Sequence, residues 1–261
     1  MDAVTLSDDE LDRYARHIVL REVGGAGQLR LRGARVVVVG AGGIGSPAIQ
    51  YLAAAGIGRI DIVDDDRVEP SNLQRQTIFA TTDRGEPKAQ AAADRARAIN
   101  PHVDARAHMV RLDDATAPTL IAGADVILDG TDNFGTRLIV ADAALAAHVP
   151  LVSAAVGPWE GQLAVFRGWE ADKPCYRCLV GQPADEAGDT CADQGVLGPV
   201  PGVLGSLAAL EVLRAIVGFG DDPAGRLLLV DALSWRFRTL IVPKDPGCPA
   251  CSALYRPPVH A

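Results

Sequence analysis

The stretch from Arg35 to Gly45, which reads RVVVVGAGGIG, constrains this chain more than any other. Its unbroken β-branched run, Val36 to Val39, is typical of a strand that is buried on both faces of a parallel sheet. Glycines follow at once, and the apolar stretch from Ile44 to Ala55 predicts a helix. Such a turn cradles phosphate, because glycines admit a close backbone approach and the helix N-terminus offers free N–H groups. The sequence therefore predicts a nucleotide beside Gly40, Gly42, Gly43 and Gly45.

The composition limits the classes of protein to which the chain can belong. Its 261 residues, 48% of them hydrophobic, can form one large α/β domain with a sizeable core. The net charge of −8 argues against nucleic acid as the main partner. The most apolar late stretch, Val196 to Val217, carries Glu211 and Arg214, and the N-terminus has no apolar signal segment. We therefore expect no membrane span and a cytoplasmic protein.

The N-terminal arm, residues 1–33, is predicted to be helical. Ser7 can cap a helix there, and Glu10 three residues later completes a capping box. The closely spaced glycines that follow are expected to end this helix, and they are Gly24, Gly25 and Gly27. Arg16 lies within the arm, and taken alone it is interpreted as a solvated surface residue.

An acidic run follows a second predicted strand, Arg59 to Val63. Asp64, its first member, lies 24 residues beyond Gly40, where a carboxylate holds the ribose hydroxyls in dinucleotide-binding sheets. The run from Asp64 to Asp66 could also be only a solvated loop. If one of the three carboxylates is the ribose ligand, its position favours Asp64.

Two cations that follow are candidates for contacts to phosphate. Pro87 suits the first position of a helix that ends at Asn100, but Lys88 in the first turn opposes the helix dipole. Lys88 is therefore either a tolerated surface residue or a group that reaches a bound anion. With a nucleotide predicted, Lys88 and Arg75, which lies in the polar loop from Ser71 to Gln76, are expected to reach its phosphates.

A further strand, Ala124 to Leu128, is followed by DGTDN and by a predicted helix, Phe134 to Ala147. Ligands in open α/β sheets lie beyond the carboxyl ends of the strands, so Asp132 is expected near the phosphates. Two interpretations of Asp132 stay open. It is either an ordinary helix N-cap or a magnesium ligand beside the phosphates.

The alternation of strands and helices weakens after residue 150. One helix is predicted from Val203 to Val217, and strands are predicted at Leu151 to Val156, Gln162 to Phe166, Arg226 to Asp231 and Trp235 to Val242. We therefore predict an α/β fold with a Rossmann-like, doubly wound mixed sheet. Its N-terminal half is expected to be parallel and its C-terminal half largely antiparallel.

Four of the five cysteines form two C-x-x-C pairs, which are Cys175 with Cys178 and Cys248 with Cys251. In a reducing compartment such pairs favour a metal over a disulfide. Four thiolates make a closed tetrahedral zinc site, which is structural, although 69 residues separate the pairs and small buried thiols are the alternative. The fifth, Cys191, is either a reactive thiol or an ordinary loop residue.

Taken together, these segments resemble the ThiF/MoeB/HesA family, the bacterial relatives of ubiquitin-activating enzymes. The resemblance covers almost the whole chain, and the segments that carry it, in order, are RYARH, GAGGIG, SNLQRQ, PK, LDGTDN, CYRC, TCADQGVLGP and CPAC. It implies a single adenylation domain over residues 1–261. Within it, residues 34–150 form the nucleotide-binding half and residues 151–261 the carrier-binding and zinc half.

The resemblance implies an activity. Members of the family use ATP and magnesium to adenylate the C-terminal Gly-Gly carboxylate of a ubiquitin-like sulfur-carrier protein, release pyrophosphate, and prepare a thiocarboxylate. Zinc is structural, and its implied ligands are the four paired cysteines. Thiamin, molybdopterin, transfer-RNA thiolation and specialised sulfur metabolites share this chemistry, so the pathway and the carrier stay open.

The resemblance also implies roles for single residues. Asp64 holds the ribose, Asp132 organises magnesium, and Arg16 reaches into the site of a neighbouring subunit, so a homodimer is implied. The phosphate contacts are Asn72, Arg75 and Lys88. The remaining residues of the implied nucleotide site are Gly40, Gly42, Gly43, Gly45, Ser71, Leu73, Gln74 and Asn133.

Cys191 matches the position that in some members bonds covalently to the carrier or to a sulfur donor. The chain shows no rhodanese segment up to Ala261, so sulfur is expected from a separate donor. Two other functions compete with this one. A nicotinamide-dependent dehydrogenase would use the same glycine turn and Asp64, and a non-catalytic module would only bind a ubiquitin-like partner. Both leave Arg75, Lys88 and Asp132 without a joint role.

Overall fold

The computed structural model of the protein describes residues 5–181 and 195–252. A mixed sheet runs through this part of the chain. Its strands are β1 (Arg35–Val39), β2 (Arg59–Val63), β3 (Asp104–His108), β4 (Val126–Asp129), β5 (Leu151–Val156), β6 (Glu160–Phe166), β7 (Arg226–Asp231) and β8 (Arg236–Ile241).

Helices cover both faces of this sheet. They are α1 (Asp8–Arg13), α2 (Ala15–Ile18), α3 (Gly24–Gly33), α4 (Gly45–Ala55), α5 (Lys88–Ile99), α6 (Ala117–Ile121), α7 (Phe134–Ala147), α8 (Tyr176–Val180) and α9 (Pro199–Val217). A short 3₁₀ turn, Pro70–Asn72, lies between β2 and α5.

The strands lie in the order β3-β2-β1-β4-β5-β6-β7-β8. The pairs from β3 to β5 are parallel and those from β5 to β8 are antiparallel, which confirms the predicted division of the sheet. The chain order reverses between β1 and β4, and in open α/β sheets this reversal opens a crevice at the carboxyl ends of the strands. Strand β3 was not predicted, because its sequence, DARAH, lacks the β-branched residues that mark a strand.

Two apolar layers hold the helices to the sheet. On one face, α4, α5 and α9 pack on the even-numbered side chains of β1, such as Val36 and Val38. On the other face, α6, α7 and α8 pack on Val37 and Val39. Strand β1 is therefore buried on both sides, which explains its unbroken valine run.

Helix α9 is apolar and long enough to cross a membrane by length and composition, with a mean hydropathy of 1.7 over its apolar window. In the fold it lies against α4 and β5, and Leu204, Ala208 and Val212 are buried there. This packing accounts for the apolar residues on its buried side, while Val203 and Leu210 are 44% and 40% exposed. The helix begins at Pro199, before the predicted start at Val203, because proline suits the first helical turn.

The N-terminal arm confirms one prediction and corrects another. Ser7 accepts a hydrogen bond from the Glu10 backbone N–H, and Glu10 bonds back to Ser7, so the capping box is present. The glycines at 24, 25 and 27, however, do not end a helix, because α3 begins at Gly24 and runs to Gly33. A Cβ on Gly27 would lie 3.0 Å from Val217 of α9, so glycine serves close helix packing there.

A buried ionic cluster joins β1, β2 and β3. The fully buried carboxylate of Asp61 lies 2.7 Å from Arg35 Nε, 2.9 Å from an Arg59 guanidinium nitrogen and 2.7 Å from His108 Nε2. Burial opposes ionisation of Asp61, but these hydrogen bonds outweigh it and lower its pKa to about 2. A carboxyl whose pKa is lowered on folding stabilises the protein above its unfolded pKa, so this contribution is lost as pH falls from about 4 toward 2.

Replacement of Asp61 by asparagine should lower the free energy of unfolding by about 2–3 kcal/mol at pH 7, because it removes the charge that the partly buried Arg35 and Arg59 pair with. Urea denaturation measures the loss. Asp104→Asn is the matched control, since Asp104 lies on the same sheet and pairs with Arg106, but its side chain is half exposed. We expect a change within about 0.5 kcal/mol for the control. Equal losses in the two variants would contradict the role of Asp61.

Candidate functional site

A cavity of about 290 Å³ lies at the carboxyl ends of β1, β2 and β4, where the strand order reverses. Val39, Val63 and Gly130 mark the three strand ends in its wall. Of the residues predicted to form the nucleotide site, the cavity is lined by Gly40, Gly42, Gly43, Asp64, Arg75, Lys88, Asp132 and Asn133. Residues distant in sequence therefore meet at the place that the topology predicts.

The glycine turn is shaped by close backbone contacts. Gly40 has φ +88°, which favours glycine, and a Cβ there would lie 3.2 Å from the Gly130 carbonyl oxygen. A Cβ on Gly43 would lie 3.0 Å from Pro201. Gly45 does not line the cavity, and a Cβ there would lie 1.9 Å from the Gly40 carbonyl oxygen. Gly45 therefore lets α4 start directly against the turn and is structural in this fold.

Asp64 ties the end of β2 to the glycine turn. Its carboxylate accepts hydrogen bonds from the backbone N–H groups of Ala41, at 2.8 Å, and Asp66, at 2.9 Å. Burial raises the pKa of Asp64, and the nearby Lys88 and these N–H groups oppose that rise. The carboxylate lines the cavity beside the turn, where a ribose ligand is expected.

Lys88 is a buried cation at the start of α5. Lys88 is 6% exposed and lines the cavity, and its Nζ donates to the Asp66 carboxylate at 2.8 Å. Pro87 is the N-cap and Lys88 the first helical residue, one position later than predicted, because Pro87 has extended ψ. The surface interpretation of Lys88 is therefore wrong. An ammonium group and the positive end of a helix lie together in the cavity wall.

The polar loop from Ser71 to Gln76 contributes fewer residues than predicted. Arg75 lines the cavity and donates to the Ser71 carbonyl oxygen at 3.0 Å. Asn72 is buried, and its side chain accepts from the Glu69 backbone N–H at 3.1 Å, which stabilises the 3₁₀ turn. The predicted residues that do not line the cavity are Ser71, Asn72, Leu73 and Gln74. Two of them support Arg75, since the carbonyl oxygens of Ser71 and Asn72 accept hydrogen bonds from its side chain and its backbone N–H.

The loop after β4 presents Asp132 to the cavity. Asn133, whose side chain accepts from the Thr136 backbone N–H at 3.0 Å, caps α7, so the interpretation of Asp132 as the N-cap is wrong. Asp129 is buried and accepts hydrogen bonds from Thr131 Oγ1 at 2.7 Å and Ser153 Oγ at 3.1 Å. The hydrogen bonds of Asp129 therefore hold the loop against the sheet, while the side chain of Asp132 is exposed at the cavity.

Sequence reasoning missed several residues of this cavity. Gln76 is 4% exposed, and in the described part of the chain its Oε1 has no hydrogen-bond partner. Arg111 lines the cavity from the loop after the unpredicted β3, and Arg137 lines it from the first turns of α7. The sequence alone does not indicate that an arginine within a predicted helix lines a binding cavity. Only the fold brings Arg137 to the wall.

Two predicted residues lie elsewhere. Arg16 is exposed on α2 and does not line this cavity. The neighbouring Tyr14 is buried and receives a hydrogen bond from Asn100 at 2.8 Å, so the segment that carries Arg16 is anchored to the body of the protein. Cys191 lies outside the described residues.

The four paired cysteines meet in one cluster, as predicted. Their sulfur atoms all lie within 4.8 Å of one another, with neighbouring distances of 3.5, 3.6 and 3.8 Å. Tetrahedral zinc with Zn–S bonds of about 2.3 Å places its sulfurs about 3.8 Å apart, so this set can hold zinc. Burial raises the pKa of Cys175, and that of Cys251 to about 11, so these thiolates are expected to form together with a cation.

The charges around the cavity suit a polyanion with a divalent cation. Arg75, Lys88, Arg111 and Arg137 supply positive charge, while carboxylates at the ends of β2 and β4 supply oxygen ligands. A hard cation such as Mg²⁺ takes oxygen ligands and commonly pairs one or two carboxylates with phosphates. The exposed Asp132 carboxylate fits that role.

Comparisons with known proteins agree with this geometry. The ThiF family model matches residues 14–250. The chain is 48% identical over 247 residues to a sulfur carrier protein adenylyltransferase of Thermus thermophilus, covering 93% of this chain and 91% of the relative. It is 46% identical to a SAMP-activating enzyme E1 of Haloferax volcanii, covering 95% and 92%. It is 42% identical to a molybdopterin-synthase adenylyltransferase of Escherichia coli, covering 94% and 98%.

Solved structures share the fold. The microcin C7 biosynthetic enzyme MccB in complex with N-formylated MccA superposes with a TM-score of 0.81 at 21% identity, covering 93% of this chain and 76% of that one. PaaA superposes with a TM-score of 0.78 at 22% identity, covering 94% and 78%. The family match and the relatives above 40% identity show that the chain belongs to the ThiF family.

Proposed function

We propose that this protein is an ATP-dependent adenylyltransferase that activates the C-terminal Gly-Gly carboxylate of a ubiquitin-like sulfur-carrier protein. The names of the relatives from Thermus and E. coli support adenylyl transfer to such a carrier. One observation of the structure carries the proposal. Arg75 and Lys88 converge on the glycine turn, and Asp132 faces the same cavity.

The proposed reaction follows from these charges. A carboxylate oxygen of the carrier attacks the α-phosphorus of ATP, the bond to the β-phosphate bridging oxygen breaks, and pyrophosphate leaves with the electron pair. The carboxylate is already ionised at neutral pH, so no general base is needed. Arg75, Lys88 and the N-termini of α4 and α5 stabilise the charge that grows on the leaving pyrophosphate.

The proposal assigns supporting roles to cofactors and to a second subunit. Mg²⁺ held by Asp132 would offset phosphate charge, and zinc held by the four cysteines would be structural. Arg16 would act at the cavity of a partner subunit in a homodimer. The exposed position of Arg16, beside Val19 and Leu20, which are 75% and 50% exposed, supports such a contact.

The carrier is proposed to dock on the C-terminal half of the sheet. Strand β8 forms the sheet edge and is exposed along its length. Trp235, just before the strand, is 82% exposed, and Phe237, within it, is 51% exposed. A groove along β6, β7 and β8 meets the nucleotide cavity at Val156, which lines both. This continuity would let a C-terminal tail reach the nucleotide.

The later steps are also proposals. Thiocarboxylate formation would follow adenylation, with sulfur from a separate donor and with or without a covalent intermediate at Cys191. We propose a cytoplasmic location, because paired C-x-x-C units hold metal rather than form disulfides in reducing compartments.

Equilibrium binding separates this function from a nicotinamide-dependent dehydrogenase. ATP with magnesium should bind at least about 100-fold more tightly than NAD, because its triphosphate adds charge that Arg75 and Lys88 can pair. Isothermal titration with each nucleotide measures the ratio. Tight NAD binding without affinity for ATP would reverse the assignment.

A further inference from the structure

Arg137 is a buried cation that the proposed reaction has not used. Arg137 is 7% exposed and lies in the first turns of α7, at the cavity wall. One guanidinium nitrogen donates to the Thr131 carbonyl oxygen. Within residues 5–181 and 195–252, no carboxylate lies within ion-pair distance of Arg137.

The groups around Arg137 leave its charge uncompensated. The phenol of Tyr176 is also close, but burial raises the pKa of Tyr176, so it stays neutral at pH 7. The carboxylate of Asp129, at the end of β4, already accepts hydrogen bonds from Thr131 and Ser153. A buried charge is costly unless an anion pairs with it, and a guanidinium offers five donors in a fork that matches a carboxylate.

The position of Arg137 differs from that of the other cations. Lys88 belongs to α5, and Arg75 lies close to Gly43 at the start of α4, so both approach from the sheet face that α4 and α5 cover. Arg137 belongs to α7, which covers the opposite face. In phosphoryl transfer the attacking and leaving oxygens lie roughly in line on opposite sides of the phosphorus. A cation opposite Arg75 and Lys88 therefore lies on the side from which the nucleophile arrives.

We propose that Arg137 binds the C-terminal carboxylate of the carrier and positions it for attack. The inference rests on the proposed function for the identity of that carboxylate. The chemical class that Arg137 recognises is a carboxylate at the end of an extended peptide. The hydrogen bond to Thr131 fixes the guanidinium beside Asp132, so the carboxylate and the magnesium ligand share one wall of the cavity.

Two versions of one peptide test this assignment. The probe is a fluorescein-labelled octapeptide ending in Gly-Gly, prepared as the free acid and as the C-terminal carboxamide, and its binding is measured by fluorescence anisotropy. The wild-type protein should prefer the free acid by about 10- to 100-fold, as expected for a charge-assisted pair. Arg137→Gln should reduce that ratio to within about 2-fold of one, because the amide cannot pair with a charge.

Matched variants separate recognition from structure. Arg137→Lys keeps the charge without the fork and should retain a smaller preference. Arg177→Gln is the control, and it should retain the full preference. Arg177 pairs at 2.6 Å with Asp142 of α7, the helix that carries Arg137, but it does not line the cavity. ATP affinity should change by less than about 3-fold in Arg137→Gln, because Arg75 and Lys88 hold the phosphates.

Three results would overturn the proposal. They are equal binding of the two peptides by the wild-type protein, a preference that persists in Arg137→Gln, and a loss of ATP affinity in that variant with no change in peptide preference. The last would assign Arg137 to phosphate. Failure of the proposed function is distinguishable, because it would remove ATP–pyrophosphate exchange while the carboxylate preference, and its dependence on Arg137, remained.

Discussion

Replacement of Lys88 by alanine should lower the rate of carrier-dependent ATP–pyrophosphate exchange by at least about 100-fold, as removal of a preorganised transition-state partner does. The ammonium group is buried at the N-terminus of α5 and lines the nucleotide cavity. In the proposed reaction, negative charge accumulates there as pyrophosphate leaves, and the buried ammonium group stabilises it. Exchange of labelled pyrophosphate into ATP measures the rate directly.

The fold should survive this change. The partner of Lys88, Asp66, has a side chain that is 68% exposed, so water solvates its carboxylate once the lysine is gone. Lys173→Ala is the matched control, because Lys173 pairs with Asp222 at 3.2 Å away from the cavity, and it should retain exchange within about 2-fold. Near-normal exchange in Lys88→Ala would remove this residue from the phosphate site.

Removal of the metal from the four-cysteine cluster should destabilise the protein by at least about 5 kcal/mol, a fall in Tm on the order of 10–20 °C. The cluster joins α8 to residues 248–251 near the end of the described chain, and Cys248 and Cys251 are fully buried. Without a cation, the buried sulfurs lose the bonds that hold these distant segments together. Calorimetry before and after chelation, with metal analysis of the purified protein, measures both effects.

Substitution provides a cleaner version of the same test. Cys248→Ser should reduce bound zinc from one per chain to a small fraction and lower Tm as chelation does, because a closed site needs all four ligands. Cys191→Ser should keep the zinc, since the cluster is complete without it. Purified protein without metal, together with an unchanged Tm for Cys248→Ser, would show that the cluster is only a set of buried thiols.

The sequence predicted those parts of the fold that depend on local pattern. The valine run and the glycine turn gave β1 and the start of α4, since a strand buried on both faces and a phosphate-type turn each leave a strong signal. Strand β3 was missed because its polar sequence lies at a sheet edge, where pairing with β2 alone makes it a strand. Gly27 was misread because helix packing against α9, rather than turn formation, requires it, while Gly24 starts α3 with φ +60°.

The residues of the candidate site likewise divide into those that local sequence predicts and those that only the tertiary structure identifies. Asp64, Lys88 and Asp132 were predictable because each follows a strand end or opposes a helix rule, and both features are visible along the chain. Arg137 and Gln76 were not, since their roles depend on which helix face or loop side the tertiary structure turns toward the cavity. Ser71 to Gln74 do not line the cavity, so their predicted contacts with a nucleotide stay a prediction.

The most direct test of the proposed activity is ATP–pyrophosphate exchange by the wild-type protein with a purified ubiquitin-like sulfur carrier. Exchange should require magnesium and the carrier, and it should disappear when the last two glycines of the carrier are removed, because the terminal carboxylate no longer reaches the α-phosphorus. Exchange that proceeds equally with the truncated carrier, or no exchange with the intact one while ATP binds, would contradict carboxylate adenylation at this cavity.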